Sequence, residues 1–146
     1  YVENLSYGYA AQLTKNEEAA AYIEACRLNR NLHLCLYSYM DIAIHYDGAT
    51  PEQIGRFLEN LGLGQHTNVE TIYEYLVEEP CNYLKYYLGY LEFLSLKQKA
   101  KELWGTDYSD YRFHKFVLET GPSDFRSLGE LVTAHPYPGQ NFGNQS

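Results

Sequence analysis

No run of apolar residues in this 146-residue sequence approaches the roughly 20 needed to cross a bilayer, so a membrane span is excluded from it. Tyr1 is followed by no basic-then-apolar leader, and the missing initiator Met leads us to expect an excised piece of a longer chain. The three cysteines, Cys26, Cys35 and Cys81, form no C-x-x-C and cannot all pair with one another, which disfavours a disulfide scaffold and a thiolate zinc site. Basic residues are scarce. Eleven Lys and Arg against 19 Asp and Glu leave a net charge of −8, which repels phosphate backbones and anionic membrane surfaces alike, so no nucleic-acid partner is expected. H-E-x-x-H, G-x-S-x-G and a phosphate-cradling Gly loop are all missing, and no self-contained enzyme motif remains. Nowhere do Val, Ile and Thr alternate with polar residues long enough for a strand, so the fold class is all-α. There is no internal repeat.

Tyrosine, by contrast, is abundant: 16 Tyr against six Phe and one Trp, so much of the buried aromatic surface carries a hydroxyl that needs a partner. At 16.9 kDa the chain has room for one domain and can fold without staples. Thr14 with Glu17, Thr50 with Gln53 and Thr67 with Glu70 have capping-box spacing and mark three helix starts. Pro51 suits the first helical position after Thr50, and Gly62 is a stop. From about Asn16 to His45 there is neither Gly nor Pro, which allows a helix about 45 Å long at about 1.5 Å per residue. Pro80 breaks the helix that begins near Thr67 and opens another that runs to Trp104, with Gly105 as its stop and Gly89 tolerated inside as a mark of close packing or ligand approach. Ser109 or Asp110 starts a helix ending before Gly121, and Pro122–Ser123 starts the last one, reaching Ala134. The expectation is a bundle of about six helices over residues 1–135 and a disordered, Pro-, Gly- and Asn-rich tail over 136–146. Tyr1, Leu5 and Tyr9 recur at steps of four, and we expect them to leave an apolar end exposed.

Three groups of residues carry potential chemistry. On the long helix, Arg30, Leu34, Tyr37, Asp41 and His45 share one face, and Asp41 can orient the His45 imidazole as in metal ligands and general bases. The same pair also suits an ordinary helix-surface contact, although Met40, Ile42 and Ile44 argue against full exposure. Around Gly89, Tyr83, Tyr86, Tyr87 and Tyr90 stack at steps of three and four, and one phenol could donate to a developing oxyanion; helix packing is the alternative. On the helix after Ser109, His114 falls between Phe113, Val117 and Leu118 and points inward, as a site residue or a hydrogen-bonded core histidine. His33, His66 and His135 lack any such context.

Pro80-Cys81-Asn82-Tyr83-Leu84-Lys85-Tyr86-Tyr87-Leu88-Gly89, with Arg112-Phe113-His114 and Gly121 further on, resembles the C-terminal part of the bacterial domain-of-unknown-function family 885, predicted gluzincin-type zinc metallopeptidases. That family's tail reads P-x(5)-Y-x-x-G and then F-H-D-x-x-L-x-x-G. Pro80, Tyr86, Gly89, Phe113, His114, Leu118 and Gly121 fit, while Lys115 replaces the acid. Asp41-Ile42-Ala43-Ile44-His45 is similar to the family's D-x-G-x-H with Ala43 in place of Gly, and Tyr1-Val2-Glu3 is similar to the stretch just after its E-G-W-A segment. The resemblance implies a fragment cut just after the zinc site, inactive alone, with no metal ligands of its own and zinc in the parent. It selects Tyr86 and His114 as catalytic donors and Asp41, His45 and Gly89 as substrate-binding residues, and Tyr83, on the same helix as Tyr86 but off the motif, is expected to join the substrate-binding set. The implied partners are a peptide substrate and the missing N-terminal part of the same chain, and the implied setting is extracytoplasmic or lipid-anchored. A competing expectation is a free-standing, tyrosine-rich helical module that binds a protein or peptide.

Overall fold

The computed structural model describes residues 1–134; the expected tail at 136–146 and His135 lie outside the described residues. Seven α-helices and two short 3₁₀ turns account for the secondary structure, with no strand among the described residues. They run α1 Val2–Leu13, α2 Glu17–His45, α3 Pro51–Asn60, α4 Val69–Glu78, α5 Asn82–Trp104, α6 Asp110–Thr120 and α7 Phe125–Ala134. Among the described residues no helix is long and apolar enough to cross a membrane.

The helix starts follow from local side-chain chemistry. Thr50 and Gln53 form the expected reciprocal box at α3, with Pro51 behind Thr50. The other two boxes do not form. Asn16, not Thr14, caps α2, its carboxamide oxygen accepting from the amides of Glu18 (2.9 Å) and Ala19 (3.2 Å). Asn68, not Thr67, caps α4 by accepting from the Thr71 amide (3.2 Å), while the Thr67 hydroxyl donates back to the Leu63 carbonyl. An Asn two residues after Thr14 and one after Thr67 thus takes the cap, its side-chain oxygen reaching the orphan amides of the first turn. Ser109 caps α6, and Asp124 starts α7 by accepting from the Ser127 amide at 2.8 Å, slightly later than Pro122–Ser123 suggests. Gly62 (φ +75°) and Gly121 (φ +76°) end α3 and α6 in the left-handed region that a Cβ disfavours.

The chain divides into two compact units, 1–89 and 90 onward, with the boundary inside α5. In the first, α1 lies along α2, and α4 packs on both α2 and α3. Its core gathers Met40, Ile44, Ile54, Leu58 and Leu76. The Tyr73 hydroxyl donates to the Ala49 carbonyl (3.0 Å) and pins the turn after α2. Of the apolar end expected at α1, Tyr9 is exposed, together with Val2 and Leu13, while Tyr1 and Leu5 are half-buried. In the second unit, Leu96, Ala100, Trp104, Phe113, Phe116, Leu128 and Val132 are buried. There the Trp104 ring meets Phe116 edge-on at 5.7 Å, and its indole N–H reaches the Val132 carbonyl (3.4 Å).

Candidate functional site

Asp41 and His45 are brought together as their spacing predicts, but not at the surface. Asp41 is 1% exposed, because its face of α2 turns toward the interior alongside Leu34, Ser38 and Ile44. The His45 Nδ1 lies 2.9 Å from Asp41 Oδ1 and 3.0 Å from the Asp41 carbonyl oxygen. A carbonyl can only accept, so Nδ1 carries a proton, and in the neutral form of the ring the lone pair is on Nε2. About a third of the His45 side chain is open to solvent. A buried carboxylate thus fixes the tautomer of a partly exposed imidazole, an arrangement that can orient a ligand or move a proton.

The same turn carries unused capacity. Asp41 Oδ2 and Ser38 Oγ are both buried and have no hydrogen-bond partner among the described residues. Ser38 is 3% exposed and sits one turn before Asp41 on the same side of α2. Buried polar groups are nearly always bonded, so two orphans on one turn are unusual for a purely structural core. Sequence reasoning missed Ser38, although its i, i+3 spacing to Asp41 was readable.

A second cluster joins α2 to the start of α5. Tyr83 packs against Tyr37 (ring centroids 4.6 Å apart) and Tyr75 (5.9 Å), and the His33 ring stacks on Tyr37 at 4.2 Å. Burial, and next the charge of Arg30, hold the His33 imidazole below its ordinary value. Burial and then Tyr75 raise the Tyr37 phenol, and burial, a hydrogen bond with Tyr75 and the nearby phenols raise that of Tyr83. This is a set of neutral rings around a neutral imidazole. His33, without context in the sequence, belongs to it through a partner from another helix, and only its i, i+4 spacing to Tyr37 hinted at that.

Tyr86 stands apart from these rings. It is 61% exposed, with the Lys85 ammonium 5.2 Å from its ring centroid. Gly89, one turn on, faces open space: a Cβ built there meets nothing within 4 Å, so close packing does not explain it.

In the second unit His114 is half-buried beside Phe113, which faces inward as expected, but Leu118, expected on the same face, is 79% exposed, and Phe116 is buried there in its place. One turn before His114, Asp110 accepts from Lys97 Nζ (2.8 Å) and the Tyr108 hydroxyl (2.6 Å). Burial pushes the Asp110 carboxyl up, but these bonds and the charges of Lys97 and His114 outweigh it and hold it below the usual carboxylate value. An open cleft of about 320 Å³ is lined by Glu92, Lys99, Phe125, Arg126 and Glu130, among others, and by none of the residues singled out from the sequence. No group of three or more His, Cys, Asp or Glu side chains gathers with metal-binding geometry among the described residues.

A family model described as bacterial protein of unknown function (DUF885) matches residues 7–132. No curated protein and no solved structure matches the chain.

Proposed function

Because the chain belongs to the bacterial family of unknown function DUF885, we propose that it is the helical C-terminal portion of a zinc-dependent peptidase and supplies substrate-holding groups to it. The observation that carries this reading is the buried Asp41 beneath His45, at the positions similar to D-x-G-x-H, with a carboxylate oxygen and the Ser38 hydroxyl still to be bonded. The described residues hold no group that fits a zinc site, and no step here runs through a metal.

Within the first unit, Asp41 holds His45 with Nε2 outward to accept from a substrate amide, and Tyr83 offers a ring to an apolar side chain. Gly89 leaves room for a peptide backbone. The exposed Tyr86 phenol is a neutral donor suited to charge developing on a carbonyl oxygen, and within the second unit His114 is a further donor. A tyrosine-rich binding module is the second reading, favoured by the exposure of Tyr39 and Tyr46 on α2.

The test is peptide hydrolysis by the complete polypeptide that carries these residues. Tyr86→Phe keeps the ring and removes one donor, and is expected to lower kcat about 10²–10³-fold with little change in KM. Tyr111→Phe, a more exposed phenol with no assigned role, is the control. Equal effects from both would remove Tyr86 from the chemistry, and peptide binding without hydrolysis would favour the module.

A further inference from the structure

We propose that the cleft between α5 and α7, within the second unit, is a binding site for a dipeptide with free termini and an apolar side chain. At about 320 Å³ it stands at the lower end of the size range of small-molecule sites. Its two walls treat charge differently. On α7, Arg126 and Glu130 are one turn apart and pair with each other at 3.3 Å, so that wall neutralises itself. On α5, Glu92, Ser95 and Lys99 line the cleft together at steps of three and four, along one face of the helix. The Glu92 carboxylate and the Ser95 hydroxyl have no hydrogen bond or ion pair among the described residues. Lys99 Nζ donates to the Gly129 carbonyl at 2.8 Å, which occupies one of its three N–H groups and leaves its charge without a carboxylate among the described residues. Between these groups the floor is apolar. Leu96 is buried there, and Phe125 is half-buried and held edge-on against Phe93 at 4.9 Å.

The order of these groups selects the ligand. Read along α5, the wall offers a carboxylate, a hydroxyl and an ammonium, which complement an ammonium, an amide and a carboxylate in turn. Glu92 and Lys99 are two helical turns apart, about 10.5 Å along the axis. An extended peptide covers at most about 3.6 Å per residue, and a charged hydrogen bond adds about 2.8 Å at each end. Two residues therefore bridge the gap, whereas one falls short and three overrun it. A dipeptide also has one amide, the number that Ser95 can serve, and a free amino acid has none. The Leu96 and Phe125 floor takes an apolar side chain from the same molecule. Such a zwitterion carries no net charge, so the −8 of the chain does not repel it. This proposal does not rest on the peptidase reading, because it concerns binding by the chain itself and needs no hydrolysis.

The test is a ¹H–¹⁵N titration of the 146-residue chain with the dipeptide Leu-Leu. Saturable shifts should centre on the α5 and α7 residues that line the cleft, with a Kd on the order of 0.1–1 mM for a ligand of this size. Acetylating the ammonium or amidating the carboxylate should each weaken binding about 10-fold, and leucine alone and Leu-Leu-Leu should both bind less tightly than Leu-Leu. Glu92→Gln and Lys99→Gln are at exposed positions, and the second keeps a donor for the Gly129 carbonyl; each should weaken Leu-Leu about 10-fold in a chain whose spectrum is otherwise that of the wild type. Glu92→Gln should add nothing to the loss caused by acetylation, and Lys99→Gln nothing to that caused by amidation, which ties each end of the ligand to its residue. Glu119→Gln, an exposed acid of α6 outside the cleft, should leave binding unchanged. No saturation up to about 10 mM, equal affinity for the blocked dipeptides, or Gln variants in the cleft that bind Leu-Leu as the wild type does would overturn the proposal.

Discussion

The two units satisfy their polar groups to different degrees. In the second, the buried Trp104 indole reaches the Val132 carbonyl, Lys97 and Tyr108 converge on the partly exposed Asp110, and at the surface Lys99 Nζ donates to the Gly129 carbonyl at 2.8 Å. In the first, Asp41 spends one carboxylate oxygen on His45 and leaves the other, with the Ser38 hydroxyl, unbonded among the described residues. Both units have an apolar core of ordinary kind, so the difference is not one of general packing quality. It teaches that stability and function are unevenly spread along the chain. In the second unit the polar groups named above bond within the unit, whereas the first leaves two buried oxygens unbonded among the described residues, directly beneath a partly exposed imidazole.

The largest test of this contrast removes core volume from the self-satisfied unit. Phe113→Ala should cost about 3–5 kcal/mol in urea unfolding, since the ring is fully buried beside Trp104 and Phe116. Trp104→Phe, which deletes the indole donor and strands a buried carbonyl, should cost about 1–3 kcal/mol. Ser38→Ala is the opposite case. Removing a hydroxyl that bonds nothing should be neutral or stabilising by up to about 1 kcal/mol, and a clear loss of stability would show that Ser38 does have a structural partner.

The smallest effects separate the units by pH. His33 is held below its ordinary value, so as pH falls from about 6.5 the unfolded chain takes up the proton first. Stability is present above that point and declines as pH drops through the folded value; His33→Phe, which keeps the stack on Tyr37, should flatten the slope. Asp110 has the same sign in a more acidic window. Its stabilisation is present above about pH 3.8 and is lost as pH falls through the lower folded value, a slope that Asp110→Asn should remove. Urea midpoints measured across both windows check the pair of substitutions.

Much of the helical architecture was legible because its signals are local. The Thr50–Gln53 box, the uninterrupted stretch that becomes α2, and the stops at Gly62 and Gly121 act within a few residues. Where two capping side chains stood near one helix start, spacing alone favoured the wrong one at Thr14 and at Thr67, since which acceptor reaches the orphan amides depends on backbone angles that spacing does not specify. The Asp41–His45 pair was readable from its i, i+4 separation, but its burial was not, because one helix's periodicity does not say which of its faces another element covers. His33 was passed over for the same reason: Tyr83, which completes its surroundings, comes from a distant helix. Leu118 was placed inward by a count that Phe113 and Phe116 satisfy without it.

The central claim is that Asp41 is buried in order to fix His45, and the protonated nitrogen of that ring reports on it directly. Long-range ¹H–¹⁵N spectra of the chain, recorded where the imidazole is neutral, distinguish the two tautomers. The account predicts the Nδ1–H form for His45 in the wild type, with that preference weakened in Asp41→Leu, which removes the carboxylate and leaves the carbonyl of residue 41 as the one acceptor that still favours it. A predominant Nε2–H form in the wild type, or an unchanged Nδ1–H preference in Asp41→Leu, would contradict it.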